Sequence, residues 1–368
     1  MERTTCVVCS SKSLELSFSL HDFPKTFLPT TDPEHSDELI NLDLYGCANC
    51  GCIQLKHLLD PNKLYGTPHN IAYDTPTWKK HHELFCNFVC DNLDNNVVIE
   101  VGGYSGVLAR NVLSKNQNIH YTILDICDKD PLVENVSFIN GNCEYFDFTE
   151  DVSVVMSHIF EHLYDPHRFI ENLSRNSVKN VFISIPNMAA QVKNHNIPIV
   201  HQEHTFFCDY DTIIYLFAKG GYSCKSHYYY REHSIFFQFT LDSQATPDLR
   251  FFNKLRTRAV SDIYENNEAS IAGISVDTEY AFICPGGLYG QIVYYYLNSD
   301  CKSNVIGILD NDASKIGKRL YGTPLKTFKM DEVRKYKSLT IIMYSGPYTN
   351  EIVRQLNEYN PSIKYVFT

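Results

Sequence analysis

The chain reads as an α/β protein: an open, mostly parallel sheet in the middle, a cysteine-rich module before it and a second α/β unit after it. Three observations predict this. Short apolar, β-branched runs alternate with helical patterns from residue 97 to about residue 240. The first run, Val97 to Val101, ends in the glycine-rich turn Gly102-Gly103-Tyr104-Ser105-Gly106, and the next ends in an acid, Asp125. The same scheme then starts again near residue 280.

Residues 1–75 are rich in Cys, Pro and Asp, with short apolar pieces and no long helix. A helix is predicted over 77–93, where Leu84, Phe85, Phe88, Val89 and Leu93 recur at helical spacing. Strands are predicted at 97–101, 121–124, 136–139, 152–156 and 180–185, with a late β-rich tail that includes 235–240. A helix should start at Val107, directly after the glycine turn. The polar stretch from Ser243 to Asp248 reads as a boundary, followed by a charged helix over about 249–268. Strand 280–284, the turn from Pro285 to Gly290, a helix from Gln291 and strand 305–309 repeat the βαβ scheme. Strand 339–343 and a helix over 350–356 follow. The expected domains are therefore 1–75, 76–243 and 244–368.

At 368 residues the chain can bury two or three cores, and 44% hydrophobic with 20% charged residues is the composition of a folded protein. A net charge of −11 with no basic cluster argues against nucleic acid, whose phosphates need concentrated Lys and Arg. The first residues show no apolar signal core, and no apolar run approaches the ~20 residues of a membrane span. Thirteen cysteines, an odd number, then fit reduced thiols in the cytoplasm, some of them on metal. The expectation is a cytoplasmic, monomeric chain that touches no membrane.

The turn at Gly102 to Gly106 lets a ligand approach bare backbone, and Asp125 stands where a doubly wound sheet binds the two hydroxyls of a ribose. This predicts a nucleoside-type cofactor. The spacing is not the dinucleotide fingerprint Gly-x-Gly-x-x-Gly, which sets aside a dinucleotide oxidoreductase. Glu100-x-Gly102-x-x-x-Gly106 resembles instead the first motif of S-adenosylmethionine (SAM) methyltransferases, whose cofactor has no pyrophosphate. On that reading SAM lies over Glu100, Gly102, Gly103 and Gly106, its ribose on Asp125, its adenine near Asn142 and Cys143, with Ser157 at the next strand end.

Cys6-x-x-Cys9 and Cys47-x-x-Cys50 are two knuckles, each able to present a pair of thiolates. Together they make a closed tetrahedral site of four thiolates, and zinc suits that geometry without redox chemistry. Four thiolates leave no open position, so the role is structural. Cys52 is a neighbour that complicates the ligand assignment.

Acid–base groups gather in two places. His158 follows the strand ending near Met156, at the sheet edge that binds ligands, while Glu161 and His162 are read as opening a helix. His201-Gln202-Glu203-His204 puts three proton-handling groups within four residues. Extended, it would point His201 and Glu203 to one face; a turn would bring Glu203 against a histidine and hold its tautomer. A surface loop or a metal half-site are the alternatives. His233 is a candidate polar contact to substrate.

Taken together, these features resemble the three-domain SAM-dependent sugar C-methyltransferases of deoxysugar biosynthesis. Cys47-Ala48-Asn49-Cys50-Gly51-Cys52-Ile53-Gln54-Leu55, the segment from Tyr65 to Tyr73, the Glu100 loop, Glu161-His162-Leu163-Tyr164-Asp165-Pro166 and Glu203-His204-Thr205-Phe206-Phe207 match that family's motifs. Pro285 to Gly290, Leu309 to Asp312 and Asn350-Glu351-Ile352 extend the match to the C-terminal domain. The resemblance implies a class I methyltransferase core, an N-terminal zinc module and a C-terminal Rossmann-like domain. It implies a nucleotide-linked 4-keto sugar as substrate, deprotonated beside its ketone so that the enolate attacks the SAM methyl. His204 would be the base, supported by Glu203, with Tyr73, His233, Gly287 and Tyr289 toward the sugar nucleotide. The chain departs from the family at His201, where a tyrosine is usual, and its C-terminal turn lacks the family's frequent lysine. Methylation of a sugar hydroxyl is therefore the rival reading, and a non-catalytic sugar-nucleotide-binding protein the next.

Overall fold

The N-terminal residues form β1 (Leu14–Pro24), β2 (Leu39–Cys47) and β3 (Ile53–Leu55), hydrogen-bonded in the order β1-β2-β3. β2 and β3 are antiparallel, with Gly46 opposite Ile53, so the second cysteine knuckle is the turn between them. The structure is a computed structural model that describes residues 1–65, 75–127, 133–195, 201–249, 256–346 and 349–368.

Helix α1 (Pro76–Cys90) starts where Thr75 caps it, its side chain accepting from Trp78 N, with Pro76 in the first turn. Its buried face carries His81, His82, Phe85, Cys86 and Val89. The sheet follows: β4 (Val97–Val101), α2 (Val107–Lys115), β5 (His120–Asp125), β6 (Val136–Asn140), β7 (Ser153–Ser157), α3 (Pro166–Arg175), β8 (Asn180–Pro186), α4 (Tyr210–Lys219), β9 (Tyr222–Tyr230) and β10 (Ser234–Leu241). The strands lie in the order β9-β10-β8-β7-β4-β5-β6. β10 runs antiparallel to β8 and to β9, while β4 to β8 are parallel. Five parallel strands with a late antiparallel strand inserted next to the fifth make the open, mostly parallel sheet that the sequence predicts. β4, β7 and β8 are almost wholly buried, which is why they read as unbroken apolar runs. Phe85, Val89, Leu108, Val112, Ile123, Val155, Phe182 and Phe236 form the core on one face of the sheet.

The chain divides into two compact units. Met1–Ser17 and Leu44–Lys193 belong to the first, which runs on to Thr257, whereas Phe18–Asp43 belong with Arg258–Thr368. The cysteine knuckles fall in the first unit with the sheet, and the excursion between them falls in the second.

That second unit contains α5 (Arg256–Ala272), β11 (Ala281–Cys284), α6 (Leu288–Tyr296), β12 (Val305–Leu309), β13 (Thr327–Phe328), β14 (Leu339–Met343), α7 (Thr349–Tyr359) and β15 (Ile363–Phe367). Its five strands are parallel in the order β13-β12-β11-β14-β15, a Rossmann-like half. Among the described residues no helix is long and apolar enough to cross a membrane.

Candidate active site

β4, β5 and β7 end at one edge of the sheet, and a cavity opens there. Glu100, Gly102, Gly103, Asp125, Asn142, Cys143 and Ser157 all line it. Gly106 does not; it is the left-handed residue (φ 61°) from which α2 starts. Gly102 has φ +72°, and a Cβ there would lie 2.3 Å from Ile159 Cδ1. At Gly103 a Cβ would lie 2.4 Å from Glu100 Cδ. The turn can follow this path, with bare backbone toward the cavity, only without side chains at those positions. Glu100 is buried and accepts a hydrogen bond from Tyr121 Oη (2.9 Å); burial pushes its pKa up to about 7.

Asp125 uses one lone pair of each oxygen on backbone, Oδ2 accepting from Tyr104 N (3.1 Å) and Oδ1 from Cys127 N (2.8 Å). The remaining lone pairs leave acceptors for a pair of hydroxyls. Asn142 turns its Oδ1 back to Glu144 N, shaping the far wall. A nucleoside with a vicinal diol fits these residues. Gly102→Ala is expected to cost about 1–3 kcal/mol, from the left-handed backbone and the Ile159 overlap, and to weaken SAM binding. Thermal melting and calorimetric titration with SAM check it.

His158, His162 and Glu203 line the same cavity. Glu161 and His162 do not open the helix that follows. Asp165 does, its Oδ1 accepting from Arg168 N (3.0 Å) ahead of Pro166. Glu161 and His162 sit in a short 3-10 turn instead (Phe160–His162), and Glu161 is wholly buried there. Its Oε1 lies 3.8 Å from His158 Nδ1, 3.9 Å from His162 Nε2 and 3.9 Å from His204 Nε2. Neither oxygen has a hydrogen-bond partner among the described residues. Burial pushes the Glu161 pKa up to about 8.

Residues 201–204 form a turn, not an extended segment: His201 N donates to His204 O (3.2 Å), and His201 Nδ1 accepts from Glu203 N (3.3 Å). The His201 ring, its centroid 4.0 Å from that of His204 and tilted 35° to it, is buried outside the cavity lining, and burial holds its pKa well below the usual imidazole value. It is a neutral buttress for His204. His204 also lies outside the lining and meets the site through Glu161 and His162.

His158 occupies the left-handed region (φ 53°), a strained conformation for a histidine, held by its backbone N–H on Ser184 O (2.8 Å). Its Nε2 is 2.8 Å from Ser234 Oγ. The same hydroxyl is 2.5 Å from His233 Nδ1 and 3.1 Å from His81 Nδ1, and His81 Nε2 reaches Ser157 Oγ (3.1 Å). Trp78 packs edge-on against His81, His158 and His233. His233 thus belongs to a hydroxyl-centred histidine network. Tyr73 lies outside the described residues. Gly287 and Tyr289 lie in the C-terminal unit, Gly287 capping α6 at φ 77° and Tyr289 packed 4.5 Å from Tyr344.

Sequence reasoning missed Trp78, His81 and His82. A buried histidine pair on an amphipathic helix face, His81-His82, is the one signal that pointed to them.

Cys6, Cys9, Cys47 and Cys50 converge: Cys6 and Cys50 sulfurs are 3.6 Å apart, as are those of Cys9 and Cys47. A tetrahedral ion with bonds of about 2.3 Å to sulfur sets its ligands about 3.8 Å apart. These thiols therefore fit a metal, and none is in a disulfide. Cys52 is outside the set; its thiol donates to Ile53 O (3.4 Å). The module is stitched to the His204 loop. Leu55 N donates to Thr205 O (2.9 Å), Phe207 N to Ile53 O (2.7 Å), and buried Arg3 donates to Thr205 O (2.7 Å) and Leu163 O (3.0 Å).

No protein-family model and no curated protein sequence matches the chain. Solved structures do. The PH0226 protein from Pyrococcus horikoshii OT3 is 11% identical over 50% of this chain and 100% of its own, with a TM-score of 0.38. Magnesium protoporphyrin IX methyltransferase from Synechocystis PCC 6803, with bound SAH, is 12% identical over 49% and 91%, TM-score 0.34. The glycopeptide N-methyltransferase MtfA complexed with SAM is 10% identical over 44% and 86%, TM-score 0.34. Each match covers about half of this chain, and the fold assignment rests on the strand order itself.

Proposed function

We propose that the chain is a SAM-dependent methyltransferase acting on a nucleotide-linked sugar, with carbon methylation of a 4-keto sugar as the reaction. The observation that carries this reading is a single cavity lined both by the glycine turn with Asp125 and by His158, His162 and Glu203. SAM supplies an electrophilic methyl group on sulfur and leaves as the neutral thioether. Asp125 accepts the ribose hydroxyls, and Gly102 and Gly103 leave room for the chain that bears the sulfur. The Glu203–His204 pair takes the proton from the carbon beside the ketone. The enolate carbon then forms its bond to the methyl as the sulfur–methyl bond breaks. Reacting atoms must be held about 3–3.5 Å apart for the transfer. Zinc in the four-cysteine site is structural, keeping the loop of His204 in place.

Mass spectrometry of reactions with SAM and a panel of 4-keto and fully hydroxylated nucleotide sugars, run partly in heavy water, tests the proposal. Methyl gain on a keto sugar, with deuterium entering beside the ketone even without SAM, is the expected result. Methyl gain on hydroxylated sugars without such exchange would make this an O-methyltransferase, and failure to bind SAM would overturn the reading altogether.

A further inference from the structure

Three imidazoles stop 3.8–3.9 Å short of a carboxylate oxygen that is wholly buried and has no hydrogen-bond partner among the described residues. The gap is too wide for a hydrogen bond and is the wrong arrangement for an ordinary ion pair, in which one donor closes to about 2.7–2.9 Å. Leaving both oxygens of a buried carboxylate unpaired is costly, so something is expected to satisfy them. We propose that Glu161, His162 and His204 hold a divalent cation at the wall of the active-site cavity, distinct from the metal of the four cysteines.

The geometry suits such an ion. Glu161 Oε1 is 3.9 Å from Nε2 of both His162 and His204, and the three ligand atoms all lie within 4.8 Å of one another. The point equidistant from three such atoms is about 2.3–2.5 Å from each, a few tenths of an ångström beyond ordinary bonds of about 2.0–2.2 Å to nitrogen and carboxylate oxygen. His162 is oriented from behind, its Nδ1 lying 2.9 Å from Tyr65 Oη. With the proton on Nδ1, that contact turns the Nε2 lone pair toward Glu161, the arrangement in which metal-bound histidines are usually held. Two histidines and one carboxylate leave further positions on the ion open, and a borderline cation such as Zn2+, Fe2+ or Co2+ accepts that donor set.

A second histidine triad, His81, His158 and His233, is close enough to ligate as well. There the Ser234 hydroxyl already fills the middle, within 2.5–3.1 Å of a nitrogen from each ring. The need for an ion is confined to Glu161.

For its role the site rests on the proposed function. An ion facing the cavity beside His162 would polarise the ketone oxygen and stabilise the enolate. With His204 Nε2 on the ion, Glu203 is the member of the Glu203–His204 pair that receives the proton.

The test is titration of the full chain, its four-cysteine site filled with zinc, with Co2+ alone, followed by calorimetry and absorption. One Co2+ per chain, with ligand-field bands but no sulfur-to-cobalt charge transfer, is expected. Glu161→Gln and His162→Asn should each weaken it by at least about tenfold while retaining their zinc. No uptake, uptake with the thiolate band, or unchanged affinity in a folded variant would overturn the site; if neither variant folds, the wild-type spectrum decides. Since no SAM or sugar is present, Co2+ binding without methyl transfer would reject the proposed reaction alone. Methyl transfer by a chain that takes up no Co2+ would reject the site alone.

Discussion

Replacing His204 by alanine is expected to lower kcat for methyl transfer by about 10²–10⁴-fold while leaving SAM affinity within about twofold. The two halves of that expectation come from different parts of the structure. His204 does not line the cavity that Asp125 and the glycine turn share, so its loss leaves those residues in place. Its Nε2 faces Glu161, and its ring lies 5.0 Å from that of His162. Removing it unpicks the acid–base wall, whether its nitrogen takes the proton or holds an ion beside the group that does. Single-turnover rates with saturating SAM, set beside calorimetric SAM binding, separate the two. A variant that turns over normally would remove His204 from the reaction. A variant that loses SAM binding equally would show that the loop shapes the donor site instead. His201→Phe is the informative companion: as a buried buttress its loss should cost stability more than rate.

How much of this was legible in the chain depends on the range of the interaction concerned. Val97 to Val101, Val305 to Leu309 and Leu339 to Met343 are strands at the expected residues, because a strand buried on both faces leaves a local, unbroken apolar signature. The glycine turn and Asp125 were equally local. β1 and β2 were hidden because their residues alternate between buried and exposed among many polar side chains. The antiparallel β9, Tyr222–Tyr230, is half exposed and resembles a loop for the same reason. Glu161 shows the opposite failure. An acid shortly before Asp165-Pro166 looks like part of a helix start, yet its meaning lies in His204, which arrives from another loop. Arg3 likewise binds Leu163 and Thr205 carbonyls that no local pattern connects to it.

That stitching makes the cysteine cluster the second place where a large effect is expected. Cys47→Ser leaves three thiolates where four sulfurs now pair at 3.6 Å, and structural zinc sites supply on the order of 10 kcal/mol of folding free energy. The variant is expected to lose its zinc and to melt in a lower, broader transition. The route from metal to catalysis is short. The second knuckle ends in β3; Gln54 in β3 accepts from Val7 N of the first knuckle (2.7 Å), and Leu55 N and Ile53 O hold residues 205 and 207. Once β3 loosens, His204 loses the frame that keeps it 3.9 Å from Glu161. Methyl transfer should therefore fall even at temperatures where the sheet remains folded and SAM still binds, since among the described residues the glycine turn takes no hydrogen bond from the cysteine knuckles. Cys52→Ser, outside the converging four and with its thiol donating to Ile53 O, should keep both zinc and activity. Zinc content, melting and SAM affinity measured on the two variants decide it. A Cys47→Ser protein with full zinc would show that the ligand set is wrong. One that loses zinc but keeps its rate would show that the module stabilises the fold without positioning His204.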